Sequence, residues 1–303
     1  MFKTILFATT ATEACDHSAR TAFQIAKQYD AELTMLHVLG VPSRGYSQMV
    51  RDVKTGEAVN VDNEYRAWVV EEMKTYYAHQ LESYDRVRLE VIEGHPHREI
   101  LRYLRKNPVD LAMLGGPTGG EDDSVYKKIV AGSTIHRVAK HAPCPILFVA
   151  RQAASFWGGI SNIVFVTDFS RASDAAFKYA AGMAESVSGE FHLFHVVDIS
   201  GMQGGMVMEQ ELIEARLREA RSQIRRHYVK KLGAFRDYSV DVWEGLPYVE
   251  VVKFAREKQA DLIVMAHSTR EKDPESVRLD SNMEQVIMRA NCPVLSVNRP
   301  QPI

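Results

Sequence analysis

The sequence predicts an α/β protein of two Rossmann-like, doubly wound domains, each built on a five-stranded parallel sheet. Two observations predict it. Short apolar runs of β-forming residues alternate with helical periodicities along the whole chain. The pattern also occurs twice. Glu93-Gly94-His95-Pro96 is answered by Glu244-Gly245-Leu246-Pro247 at an offset of 151 residues (245 − 94), and Asp110-Leu111 by Asp261-Leu262 at the same offset. Ala142-Pro143-Cys144-Pro145 returns as Ala290-Asn291-Cys292-Pro293 at 148 (292 − 144), and His37-Val38 returns as His195-Val196 at 158 (195 − 37). A nearly constant offset means two copies of one domain, expected at 1–151 and 158–303, with a linker near Arg151–Gly159.

In the first copy, Thr4–Ala8 reads as a strand, and Ala19, Ala22, Phe23, Ile25 and Ala26 mark the apolar face of a helix. Leu33–Val38 is a second strand. Gly40–Asn60 reads as irregular, and a helix is expected around Asn63–Ser83. Arg88–Ile92, the short helix Arg98–Arg105, the strand Leu111–Leu114, the helix Ser133–Lys140 and the strand Ile146–Val149 complete it. The second copy repeats the series as Ile163–Thr167, Ala172–Val187, Phe191–Val197, a long helix near Met208–Leu232, Val240–Trp243, Tyr248–Lys258, Leu262–Ala266, Asn282–Arg289 and Val294–Val297. Strands that are continuously apolar belong to parallel sheets buried on both faces.

Composition narrows the function. Of 303 residues 46% are hydrophobic and 25% charged, ordinary for a globular chain. The formal charge of −2 argues against a dedicated nucleic-acid binder. No apolar run approaches the ~20 residues of a membrane span. The chain enters a strand at once, and its three cysteines suit a reducing compartment, so the cytoplasm is expected.

The segment with the most chemistry comes after the strand Leu111–Leu114. Gly115-Gly116-Pro117-Thr118-Gly119-Gly120 leads through the acidic Glu121-Asp122-Asp123 to Gly132-Ser133-Thr134 at the head of a helix. Glycines after a buried strand let backbone N–H groups approach an anion, and a helix start adds free donors and the positive end of its dipole.

With these residues in view, the chain resembles the universal stress protein family over essentially its whole length. The His-Val strand ends, the Glu-Gly-x-Pro turns and the Cys-Pro entries to the last strands carry the resemblance, which is to the tandem, bacterial two-domain members. It implies the family fold, akin to the adenine nucleotide alpha hydrolases. Nucleotide-binding members carry Gly, two residues, Gly, nine residues, Gly, then Ser or Thr, together with an Asp after the first strand near the adenosine. Gly116, Gly119, Gly132 and Ser133 match those glycines and that hydroxyl, but twelve residues separate Gly119 from Gly132, and Thr10 stands where the family has Asp. In the second copy Asp168 restores the Asp, while His267, Arg270 and Asp280 replace the glycines at a spacing of nine. Each copy therefore holds part of the signature. Since backbone donors set phosphate affinity, the first copy is the better anion site. The nucleotide-binding residues implied are Thr10, Val38, Gly116, Gly119, Gly132, Ser133 and Thr134, with Asp168, Val196 and Ser281 as their weaker counterparts.

The resemblance implies a non-catalytic stress-response protein that binds ATP or AMP in its first domain, with Mg²⁺ accompanying ATP. An interaction scaffold with both nucleotide sites degenerate, and an adenine-nucleotide hydrolase or transferase, stay open as alternatives. No Gly-x-Ser-x-Gly elbow, Walker motif or paired metal-binding histidines stand in the sequence, so no catalytic residue and no metal site are assigned. Protein partners are not legible, and nucleic acid and membrane are not expected. The family pairs through its last strand, which implies an internal pseudo-dimer of Ile146–Val149 with Val294–Val297 and leaves a homodimer open.

The remaining candidates have plainer readings. His37 and His195 are expected to be structural, bonded to backbone, and His95 and His97 to be helix-start residues. Cys144 and Cys292 read as buried, and Cys15 as a thiol near a helix start. The arginines between Glu209 and Lys231 alternate with glutamates, as on a solvated helix face.

Overall fold

The computed structural model describes residues 1–39, 49–51, 58–60, 63–115, 134–135, 137–149, 159–199, 210–266 and 282–297. The chain divides into two compact units, Met1–Ala150 and Arg151–Ile303. In the first, β1 (Thr4–Thr9), β2 (Glu32–Leu39), β5 (Val87–Glu93), β6 (Leu111–Gly115) and β7 (Ile146–Val149) form an all-parallel arrangement in the order β5-β2-β1-β6-β7. In the second, β8 (Asn162–Val166), β9 (Glu190–Asp198), β10 (Tyr238–Gly245), β11 (Leu262–Ala266) and β12 (Val294–Val297) repeat it as β10-β9-β8-β11-β12. The fold is doubly wound α/β in each unit. Winding reverses beside the first strand, so the carboxyl ends of β1 and β6, and of β8 and β11, frame a crevice where such sheets take ligands.

The strands are buried because helices cover them. Leu6 and Phe7 on β1, like Val164 and Phe165 on β8, are fully buried. Helix α1 (Asp16–Tyr29) lays Ala19, Ala22, Phe23, Ile25 and Ala26 in the core, and α5 (Arg171–Val187) does the same with Ala175, Ala176, Phe177, Ala180 and Ala184. Both helices end on a left-handed residue, Asp30 at φ 49° and Ser188 at φ 50°, whose N–H reaches back to the last turn. The repeated Asp-Leu pairs have a structural reason. Asp110 accepts hydrogen bonds from the N–H groups of Lys3 (2.7 Å) and Thr4 (3.0 Å), and Asp261 from those of Ser161 (3.0 Å) and Asn162 (2.9 Å). Each carboxylate thereby fixes the start of one strand against its neighbour.

The turns before α4 (Pro96–Lys106) and α7 (Pro247–Glu257) need glycine. Gly94 and Gly245 have φ of 136° and 142°, and the γ-carbons of Glu99 and Glu250 lie 2.7 Å from where a β-carbon would stand.

Two expectations are corrected. Gly40–Asn60 contains a short antiparallel pair, β3 (Met49–Arg51) with β4 (Ala58–Asn60), joined through Val50 opposite Val59. The long helices are also each interrupted at a buried tyrosine. The first runs as α2 (Asn63–Tyr76) and α3 (Ala78–Glu82) around Tyr77, and the second ends as α6 (Gln210–His227) before Tyr228 and a 3₁₀ turn at Val229–Lys231. Helix α8 (Asn282–Arg289) precedes β12. Among the described residues no helix is long and apolar enough to cross a membrane.

Candidate functional site

The interrupting tyrosines explain themselves at the crevice. Tyr77 and Tyr228 place their hydroxyls on the last residues of the first strands: Tyr77 Oη lies 2.6 Å from Thr9 Oγ1, and Tyr228 Oη 2.8 Å from Thr167 Oγ1. The same threonine oxygens accept N–H bonds from Ala11 (3.0 Å) and Phe169 (2.9 Å), which sit at φ 51° and 60°. The threonine carbonyls accept from the Nδ1–H groups of His37 (2.9 Å) and His195 (2.7 Å). Burial pushes both phenols up, Tyr228 to about 12, so each keeps its proton. Burial also lowers the His195 pKa, which leaves a neutral ring with its proton on Nδ1. Both histidines are thus structural, as their sequence position predicts. A threonine, a tyrosine and a histidine close the first strand of each domain and turn the chain sharply toward the site.

Beyond that knot the two copies differ. In the second, Asp168 extends an exposed carboxylate. Its Oδ1 accepts from Ser170 N–H (2.9 Å) and Ser173 Oγ–H (2.6 Å). Burial opposes its ionisation, but the hydroxyls of Ser170 and Ser173 and the backbone N–H donors outweigh that and hold its pKa below the usual carboxylate value. In the first copy Thr10 takes the position and Cys15 stands where Ser173 does. Thr10 Oγ1 lies 2.9 Å from Thr12 Oγ1 and 3.3 Å from Cys15 Sγ. An acid with a strong donor has been exchanged, as a pair, for a neutral hydroxyl with a soft thiol. Phe169 adds bulk in the second copy, its ring 4.6 Å from that of His195; the first has Ala11 there.

Of the residues expected at the nucleotide site, Thr10 follows β1 and Val38 lies near the end of the adjacent β2, with Thr9 opposite His37 in the β1–β2 register. Gly115 ends β6, which pairs with β1 on its other side. Thr134 is helical and half-buried. Val196 is buried on β9 and sits opposite Trp243. Gly116, Gly119, Gly132, Ser133 and Ser281 lie outside the described residues, as do Glu121–Asp123, His267, Arg270 and Asp280. The sequence does not single out Thr9, Tyr77 and their counterparts, and Cys15 reads there only as a thiol near a helix start, not as the partner of Thr10. The signal was available, since all pairs keep the offsets of 158 or 151.

Other candidates resolve simply. Arg137 donates to His97 Nε2 (3.0 Å); burial and then Arg137 lower the pKa of His97. Among the described residues no three acidic, histidine or cysteine side chains cluster to hold a metal. Cys144 and Cys292 are buried, and burial pushes both thiols up to about 12, far from a reactive thiolate.

The repeated fold agrees with comparison to known proteins. The model of the universal stress protein family matches residues 1–150 and again 159–298. The chain belongs to that family. A universal stress protein of Methanocaldococcus jannaschii is 28% identical over 159 residues, 50% of this chain and 84% of the relative. A second from the same organism is 26% identical over 154 residues, 46% of this chain and 94% of the relative. Among solved structures, a universal stress protein of Archaeoglobus fulgidus superposes with a TM-score of 0.69 at 21% identity, covering 98% of this chain and 96% of that one. A Pseudomonas aeruginosa protein of unknown function gives 0.61 at 16%, covering 99% and 93%. These two similarities establish the fold.

Proposed function

We propose that this universal stress protein is a non-catalytic, nucleotide-responsive stress protein of the cytoplasm that takes ATP or AMP at the crevice of its first domain. The observation that supports this most is the environment of Thr10. At the point where winding reverses, Thr10, which stands where the second domain has Asp168, is neutral and lies against the neutral Thr12 and Cys15, and β6 beside β1 runs on in sequence to Gly116. A ligand with an anionic tail meets no carboxylate at Thr10, and Gly115, at the end of β6, begins the glycine-rich stretch that would take its phosphates. In the second domain the exposed Asp168 carboxylate is placed to accept from a ligand hydroxyl, but in the sequence Asp280 stands in place of the glycine of the phosphate loop.

Calorimetric titration of the full chain with ATP and AMP, with and without Mg²⁺, tests the reading. One strong site per chain is expected, weakened at least tenfold by Gly116→Val and little changed by Asp168→Asn. No heat of binding at millimolar nucleotide sinks the proposal. Appearance of ADP, AMP or pyrophosphate on long incubation moves the protein to the hydrolase alternative.

A further inference from the structure

The two domains treat one carboxylate at the sheet edge differently. In the first, Glu90 of β5 forms an ion pair with Arg88, two residues before it on the same face of the strand. The equivalents at the offset of 151 are Asp241 and Ser239 on β10 (241 − 90 and 239 − 88). A permanent cation has become a hydroxyl. The neighbouring strand changes in step. Thr34 sits opposite Arg88 in the β2–β5 register, whereas its counterpart opposite Ser239 in the β9–β10 register is His192 (192 − 34 = 158). In place of an arginine that never titrates, the second domain has an imidazole that does, one strand further in.

These side chains are joined by hydrogen bonds. Ser239 Oγ–H donates to Asp241 Oδ2 (2.6 Å), and His192 Nδ1 lies 2.8 Å from the same Oγ. Since the serine proton goes to Asp241, the imidazole carries its own on Nδ1 and leaves Nε2 as a bare acceptor. Nε2 is buried and makes no hydrogen bond among the described residues. The ring stands edge-on to that of Phe254 on α7, centroids 6.0 Å apart, and is 7% exposed. Three charged groups act on it. Asp241 does so through Ser239, and Glu190, exposed on the same strand, brings Oε2 to 3.7 Å from Nε2. The third is Lys258, just beyond α7, whose Nζ lies over the Phe254 ring at 5.4 Å. On the other side β8 presents the apolar Val164. Burial lowers the His192 pKa most and Lys258 lowers it further, while Glu190 and Asp241 pull the other way. The ring is therefore neutral at pH 7. A proton on Nε2 would find one carboxylate within easy reach and one ammonium opposed to it.

We propose that His192 is an acid-sensitive latch in the second domain: a proton taken from solution onto Nε2 draws the Glu190 carboxylate to the ring and drives the Lys258 ammonium off Phe254, freeing the end of α7. The first domain, with Thr34 and the Arg88–Glu90 pair, lacks the titrating group. The latch is independent of nucleotide binding. With the folded pKa below the unfolded value of about 6.5, the neutral ring's contribution to stability is complete above that value and declines as pH falls from it to the folded pKa. The test follows the His192 imidazole and Lys258 side-chain resonances of the full chain, assigned through the backbone, from about pH 8 to about pH 5. His192 is expected to titrate below the ordinary histidine value of about 6.5, and the Lys258 ε-methylene to leave its ring-shifted position with the same midpoint. His192→Gln should abolish the Lys258 movement. Glu190→Gln should weaken proton binding and Lys258→Met should strengthen it, each about twofold or more. The proposal is overturned by a His192 that stays neutral down to about pH 5, by a Lys258 resonance that stays fixed while His192 titrates, or by a midpoint that either substitution leaves unmoved. The first two outcomes need no variant to fold.

Discussion

The two domains share the contacts that close the end of the first strand and differ in the side chains set around them. Thr9 and Thr167, Tyr77 and Tyr228, His37 and His195 make one knot twice, and Gly94 and Gly245 turn over the same glutamate. Around that frame, Thr10 with Cys15 replaces Asp168 with Ser173, and Arg66 on Glu93 is set against Leu217 at the equivalent position of the second domain.

The largest expected break in this symmetry is at Gly189, whose counterpart is Ala31. A β-carbon there would run into the Ser161 carbonyl, so backbone rather than a flexible side chain would have to shift. Gly189→Ala should destabilise the second domain by about 3 kcal/mol, the upper end of ordinary overpacking, whereas Ala31→Gly should cost about 1 kcal/mol, measured by denaturant unfolding with domain-specific probes. Equal effects would show that the two helix-to-strand turns are not built differently.

Next in size is the knot. Tyr77→Phe and Tyr228→Phe each remove one hydroxyl and leave a buried threonine oxygen with one partner fewer. Each should cost about 1–3 kcal/mol, and by similar amounts, because the knot is the feature the domains share. A large difference between them would break the equivalence.

The smallest effect is the paired exchange at the crevice. Thr10→Asp and Cys15→Ser should couple favourably by about 1 kcal/mol in a double-mutant cycle, since the serine supplies the donor that Ser173 gives Asp168. The transplanted acid should also bring its pH dependence. Because the folded pKa of Asp168 is lowered, its stabilisation is complete above the unfolded carboxylate value of about 4 and is lost as pH falls through the folded pKa. Acid unfolding of the second domain should flatten in Asp168→Asn, and the first should acquire that sensitivity in the double variant.

Periodicity and the repeat made the architecture legible before any coordinates. A buried parallel strand must be apolar throughout, and a duplicated domain prints its period on every constrained position, which is why Asp110 and Asp261, Cys144 and Cys292, and both Gly-x-Pro turns stood out. Tyr77 and Tyr228 did not, because a tyrosine inside a helical run has nothing local to mark it; its reason is a threonine about 60 residues away in the chain. The hairpin Met49–Arg51 with Ala58–Asn60 was hidden for a related cause, since strands of three residues carry too little alternation to read.

By itself, the sequence determined the fold, its duplication and the residue types around each crevice, because those depend on local patterning and on comparison of one copy with the other. Only the tertiary structure decided which side chains meet. That Tyr77 meets Thr9 and Tyr228 meets Thr167, and that Arg66 reaches Glu93, depends on distances between segments far apart in the chain. Those distances are set by how helices pack on the sheet.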